Sequence, residues 1–376
     1  MIYIDNIIYK KILKPETIII IGLIIRIICS FSNSFIEILP GAGLDALTFH
    51  KSAVNFSRGE EYFMDNIDQG KAYVIILGIL YKIIPASFEL FAGGILSSIA
   101  WFFSAIILYK ILQLNKLNNS YISIALIIYS MLPFGIVYTS ITLREAYQLL
   151  LINLAFYFII LILKKLKTEY IFGLLITLLI LFFFHKAYVF FIAFIISVLL
   201  IVSMDKISKH FRNHKFLTLI LFISVTYIYL PYYTDFYSFL TDQVQNFKFN
   251  QNQDARAIYK DQLQLTYERK YFLFSLIYSF IQFEFEPYPW RETLNVDYIL
   301  IAQNAFKLFL FYIIIKKLIL SFKLKNLNYF ILFSIFLFLE FLWSTGTVNW
   351  GTAVRHQVPG YGMLIFLSFV NIKKIK

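Results

Sequence analysis

The sequence has a single cysteine, Cys29, and little charge: only 15% of its 376 residues are Asp, Glu, Lys or Arg. One cysteine excludes a disulfide framework and any metal site built on several thiolates. Sparse charge beside 60% hydrophobic residues excludes an ordinary soluble domain, which cannot bury that much apolar surface at this length. No Gly-rich phosphate loop occurs, and no basic tract is interleaved with exposed aromatics. Nucleotide chemistry and nucleic-acid binding are therefore set aside, despite a net charge of +12. No small-residue cleavage site follows the first apolar run, so the first helix is expected to stay on the chain as a signal anchor. Internal duplication is also missing, which weighs against a repeat-built transporter.

What the chain does have is long apolar runs. They fall near 17–38, 88–112, 121–138, 144–163, 170–184, 187–204, 216–231, 298–315, 327–343 and 358–372. Most approach the roughly 20 residues that a helix needs to cross the hydrocarbon core. The expected fold is all-α, a polytopic transmembrane helical bundle of about ten spans forming one integral membrane domain over 1–376. The segment 72–84 is shorter, carries Lys82 and stops at Pro85, and reads as a re-entrant or interfacial helix. If it does not cross, Lys10, Lys11, Lys14, Lys110, Lys116, Lys164, Lys165, Lys167 and the later loop lysines share one side, and acids outnumber bases on the other. The positive-inside rule then makes both termini cytoplasmic. Two long segments face outward: a first loop at 39–87 that contains the re-entrant helix, and a loop at 232–297 with a lid helix at 271–283. With minimal cytoplasmic loops, chemistry is expected on the outer side and without nucleotides.

Several residues stand out from a plain bundle. Asp45 follows the first span, with Phe49 and Ala53 at helical spacing behind it. It either caps the next helix or serves as a general base held at the membrane surface. His50 and Arg58 lie on the same run. Arg144 and Glu145 open a helix from the outer side: Glu145 suits the helix dipole, and Arg144 either snorkels to headgroups or grips phosphate oxygens with its planar fork. His185 and Lys186 make a cationic pair in a tight turn. Arg355 and His356 follow Trp350 and are either lipid anchors or further anion ligands. By loop charge alone all five cations map to one membrane face, which suits a lipid phosphate or pyrophosphate. The loop 232–297 combines amides (Gln243, Gln245, Asn246, Asn250 to Gln253) with aromatics and then Glu284, Glu286, Trp290, Arg291 and Glu292. It is either an ordinary wet loop or a sugar-binding surface. No spacing specifies a metal, and nothing in the sequence calls for a cofactor; a divalent metal has no support. Arg26, Lys307 and Glu340 lie inside spans and are expected to face protein or water, Lys307 pairing with Glu340.

On these residues the chain resembles the GT-C superfamily of membrane glycosyltransferases, over about 17–200 and again at 345–372. Asp45 and Phe49 match that family's acidic and aromatic positions after the first span, 70–82 its re-entrant helix, Pro133 its proline-ended span, Leu143 to Ala146 its helix opening, and Arg355 to Pro359 its late Arg-aromatic-x-x-Pro element. Paired acids usual in the first loop are not matched; Glu60 and Glu61 stand well downstream. The resemblance implies an inverting glycosyltransferase that takes polyprenyl-(pyro)phosphate-linked sugars at the outer face of a bacterial cytoplasmic membrane. Asp45 would then be the catalytic base, with Arg144, His185, Lys186, Arg355 and His356 on the lipid phosphate and His50, Arg58, Glu145, Glu286, Trp290 and Arg291 near substrate. The Leu-Arg-Glu-Ala, His-Lys and Arg-His-x-x-Pro elements also look like those of O-antigen and capsule polymerases of the Wzy type, which implies partnership with other polysaccharide-assembly membrane proteins. A lipid-glycan flippase or transporter is the non-enzyme alternative.

Overall fold

The computed structural model describes residues 13–39, 42–60, 70–204, 272–291, 294–347 and 349–372, and among them the regular structure is helical. The expected span at 216–231 and the amides between 243 and 253 lie outside the described residues, as does Glu292. Among the described residues five helices are long and apolar enough to cross a membrane: Pro15–Phe35, Ala86–Leu114, Glu145–Lys164, Asn295–Lys323 and Leu327–Gly346. Shorter apolar helices cover Lys71–Tyr81, Asn119–Met131, Thr168–Phe184 and Tyr188–Leu200.

The chain divides into two compact units, Met1–Tyr188 with Phe306–Leu320 and Val358–Lys376, and Val189–Ala305 with Ser321–Gln357. In the first, α1 (Pro15–Phe35) leads to α2 (Leu44–Arg58) and α3 (Lys71–Tyr81), and a 3-10 turn at Ala86–Phe88 opens α4 (Glu89–Leu114). Next come α5 (Asn119–Met131), α6 (Pro133–Tyr138), α7 (Glu145–Lys164) and α8 (Thr168–Phe184). Helix α4 packs on α1 and α7, α7 on α8, and α2 on α3. Helix α9 (Tyr188–Met204) leads into the second unit, which holds α10 (Phe272–Phe285), α12 (Leu327–Gly346) and α13 (Trp350–Gln357). The long α11 (Asn295–Lys323) has residues in both units, and α14 (Tyr361–Phe369), buried along most of its length, returns to the first.

The two faces of α1 show which solvent these helices are built for. Its inward stripe is Ile18, Gly22, Arg26, Ser30 and Asn33, whereas Ile20, Ile24, Ile28 and Phe31 are exposed. Past Ile18 the inward groups are small or polar while large apolar ones point out, the reverse of a helix in water and the arrangement suited to lipid. A Cβ on Gly94 of α4 would collide with Ser30 and with the Ser140 carbonyl, and one on Gly22 would strike Trp101. Glycine at these positions lets α1 and α4 approach closely.

Two expected spans change form. The run 121–138 is not one helix: α5 ends at Met131, Leu132 is extended (ψ 118°), and Pro133 starts the six-residue α6. Proline has no N–H to continue the ladder, so the helix breaks there. The run 358–372 becomes a 3-10 turn at Val358–Gly360 and then the nine-residue α14, about 14 Å long and too short to cross alone. The segment expected to be re-entrant is the eleven-residue α3, about 16 Å long.

Arg26 holds the break. Its side chain is fully buried, with Nε donating to Thr139 Oγ1 at 2.7 Å and one terminal nitrogen donating to the carbonyls of Gly22 (3.0 Å) and Ser130 (3.1 Å). The guanidinium lies 3.5 Å from the centre of the Trp101 ring, a buried cation–π contact. Ser130 O belongs to the last turn of α5, whose carbonyls lose their helical partners at the break. Behind it, Ser104, Tyr129 and Asn153 tie α4, α5 and α7 together: Ser104 Oγ and Tyr129 OH are 2.7 Å apart, and Asn153 Nδ2 donates to both, at 2.7 and 3.1 Å. The expectation that Arg26 faces protein therefore holds. Lys307 and Glu340 are also buried, one in each unit.

Replacing Arg26 by Gln removes the fork and leaves buried carbonyls without a donor, so unfolding stability should fall by about 2 kcal/mol or more. Arg26→Lys keeps the charge but not the planar geometry and should also lose stability. Thermal unfolding in detergent checks both; unchanged midpoints would show that Arg26 does not hold the break.

Candidate functional site at one end of the first unit

The stretch 139–144 between α6 and α7 is irregular and almost fully buried. Irregular backbone inside a membrane protein persists only where protein or a water-filled cavity satisfies it. Here α4 and α6 supply partners. Ser97 Oγ donates to the Leu143 carbonyl (3.4 Å), Thr142 Oγ1 to the Leu90 carbonyl (3.4 Å), and Ser140 N to the Val137 carbonyl (3.1 Å). The stretch delivers Arg144 to the N-cap of α7, with Glu145 in the first turn, where its charge suits the exposed helix N–H groups. Both side chains are buried.

An aromatic chain links this helix start to three others. The Arg144 guanidinium lies 5.6 Å from the centre of Phe49 on α2. Phe49 meets Tyr73 of α3 edge-on at 5.3 Å, Tyr73 meets Tyr147 of α7 at 5.3 Å, and Tyr147 stacks on Phe184, the last residue of α8, at 5.5 Å. His185 comes directly after, buried, its Nδ1 accepting from Ala187 N at 3.2 Å and its ring edge-on to Tyr188. Tyr188 OH donates to Gln148 Oε1 at 3.2 Å, closing the turn back onto α7. The start of α7 and the end of α8 thus lie at the same end of the unit, and Arg144 and His185 lie there with them.

Asp45 is exposed in the first turn of α2, and the N-cap position is held by Gly43, one residue before the helix begins. Asp45 precedes Phe49 by one turn, about 6 Å along the axis. The carboxylate therefore lies within a turn of the ring that carries Arg144. Lys186 is exposed beside His185. Arg58 is not brought to Asp45: it ends the same helix, about 20 Å away along its axis.

His50 points elsewhere, with Nδ1 3.1 Å from Tyr81 OH of α3. That contact fastens α2 to α3 where a Cβ on Gly78 would strike Phe56 and crowd the Ala53 carbonyl. The tyrosines Tyr73 and Tyr147 of the aromatic chain, and Tyr81 beside His50, do not stand out in the sequence as site residues. A signal is present all the same: Tyr73, Leu77 and Tyr81 recur every four residues, marking one face of α3, and all three are buried.

In the second unit two of the expected site residues, Glu286 and Arg291, engage each other, and the others meet residues that the sequence did not single out. An Arg291 terminal nitrogen is 4.0 Å from Glu286 Oε2, and the Arg291 guanidinium lies 5.2 Å from the centre of Trp350. Trp350 Nε1 donates to Asp297 Oδ1 (3.3 Å), Gln282 Nε2 to Glu286 Oε1 (3.3 Å) and Asn304 Nδ2 to the Glu286 carbonyl (3.0 Å). His356 Nδ1 is 3.1 Å from Thr347 Oγ1, and its ring packs 4.4 Å from Trp343. Arg355 shares the last turn of α13 with His356. Trp290 is 79% exposed and stacks on Tyr288 at 5.0 Å. Among the described residues no group of three or more His, Cys, Asp or Glu is placed to hold a metal ion.

Burial, with Arg58 and Lys51 acting in the same direction, holds the His50 pKa below its ordinary 6.5. The unfolded chain therefore takes up this proton first, and stability should fall as pH drops below about 6.5. The thermal midpoint of the wild type should decline between about pH 7 and pH 5.5, more steeply than that of His50→Gln; equal slopes would remove His50 as the cause. Comparison with protein-family models, curated proteins and solved structures finds no match.

Proposed function

We propose that the chain is a membrane-embedded inverting glycosyltransferase that uses polyprenyl-(pyro)phosphate-linked sugar donors at the outer face of a bacterial cytoplasmic membrane, in surface polysaccharide assembly. In this reading the bundle has about ten spans with both termini cytoplasmic, and α2 and α3 lie at the outer surface. The observation that carries the reading is the approach of the buried Arg144 to Phe49, one turn from the exposed Asp45. A base and an anion-binding cation then face the same region from two helices.

Each partner has a definite task. Asp45 accepts the proton of the acceptor hydroxyl as its oxygen attacks the anomeric carbon. The bond from that carbon to the phosphate oxygen breaks, and the lipid phosphate departs with the electron pair. Arg144, in a site walled by rings, meets that growing negative charge where low dielectric strengthens the attraction. Lys186 adds a cation at the surface, and His185 holds the turn that presents it. The reading uses residues of the first unit alone.

Asp45→Asn should lower transfer from a synthetic polyprenyl-phosphate sugar by about 10²- to 10⁴-fold, the range for a lost general base. Because Asp45 is exposed, the substitution should leave the thermal midpoint nearly unchanged. Arg144→Gln should cost on the order of 10²-fold in turnover. A fully active Asp45→Asn protein would overturn the assignment of the base.

A further inference from the structure

The second unit carries a surface built like α1, and nothing in the transferase reading uses it. Phe274, Ile277 and Ile281 are exposed on one side of α10, at the three- and four-residue steps of a single helix face. The opposite side buries Ser279, Gln282 and Phe283, and Glu286, just past the end of the helix, is buried as well. Beside Phe283 the buried groups are polar, and the exposed ones are large and apolar, an exposure that water penalises and lipid favours. The apolar strip continues through Trp290, Leu294, Tyr298 and Ile299, all more than half exposed, into the first turns of α11. Helix α11 is itself long and apolar enough to cross a membrane, with 29 residues spanning about 43 Å, more than the hydrocarbon is thick. A helix of that length leaves turns outside the hydrocarbon at one end or both when it crosses. Helix α10, at 14 residues and about 21 Å, is too short to cross.

We propose that the outward face of α10, Trp290 and the start of α11 form a ledge seated in the bilayer interface. Here α10 lies along the boundary between headgroups and acyl chains, and the Trp290 indole sits at headgroup level. Tryptophan and tyrosine collect at that depth because the ring is apolar and one edge is polar. Paired side chains back the ledge. Glu286 and Arg291 face each other from either side of the Pro287–Pro289 turn, and Arg291 rests on Trp350, whose indole is held by Asp297. The ledge fixes the level of α11 in the bilayer and requires no glycan chemistry, so its failure would leave the Asp45 reading standing.

The four tryptophans make a direct test possible, because Trp101, Trp343 and Trp350 are at most 5% exposed and Trp290 is open. Intact protein in nanodiscs of phosphatidylcholine is compared with W290F, using lipids brominated near the headgroup end or near the tip of the acyl chain. The expected result is strong quenching by shallow bromine, weaker quenching by deep bromine, little quenching by aqueous acrylamide, and loss of the shallow component in W290F. A nitroxide at Ile277 supplies a second readout, with greater access to oxygen than to an aqueous nickel chelate. Quenching of Trp290 by acrylamide without quenching by either bromolipid would overturn the proposal, placing the ring in water or on a soluble partner. So would a nickel-accessible label at Ile277.

Discussion

A helix that breaks inside a membrane must find partners for the backbone groups it releases, and in this chain Arg26 is the partner. Lipid offers no hydrogen bonds, so a carbonyl freed at Leu132–Pro133 without a donor would cost several kcal/mol. The Arg26 side chain reaches from α1 to Ser130 O and Thr139 Oγ1 at once, while Trp101 covers its face. Arginine suits this position because its several donors lie in a fixed plane and its charge tolerates an aromatic wall.

The path of the chain beyond Pro133 depends on that break. With the end of α5 and the end of α6 both tied to Arg26, the chain runs on through 139–144 as irregular backbone, supported by Ser97 and Thr142 and brought close to α4 at Gly93 and Gly94. Arg144 and Glu145 then start α7 inside the protein instead of at an exposed loop. The proposed transferase site thus rests on a side chain of α1 that meets Thr139 across 113 positions of sequence. The aromatic chain from Phe49 to Phe184 then places α2, α3, α7 and α8 around the start of α7.

Much of the first unit was legible in the sequence. Long apolar runs mark α1, α4 and α7, and the short 72–84 segment announces a helix of limited length, because length and hydropathy are local properties. Asp45 and Phe49 were legible as a helical pair, and Arg144 as a cation at a helix start. The outcome at 121–138 was not: the Pro133 signal was visible, but whether a proline ends a span or divides it depends on a donor arriving from α1. The partners of Arg291 and Trp350 were illegible for the same reason, since Asp297 and Trp350 meet across 53 positions of sequence. Exposed Trp290 and buried Trp350 look alike as residues and differ only in what packs on them.

The central claim is that the α2 start and the α8–α9 turn share the outer face of the membrane. Cysteine labelling tests it most directly, because Cys29 is the only native thiol. In a Cys29→Ser background, Asp45→Cys, Lys186→Cys and Lys116→Cys are each treated in intact cells with a maleimide that cannot cross the membrane. The account predicts that positions 45 and 186 are labelled from outside, and that position 116 reacts only after the membrane is opened. Labelling of 45 and 186 from opposite sides would contradict it.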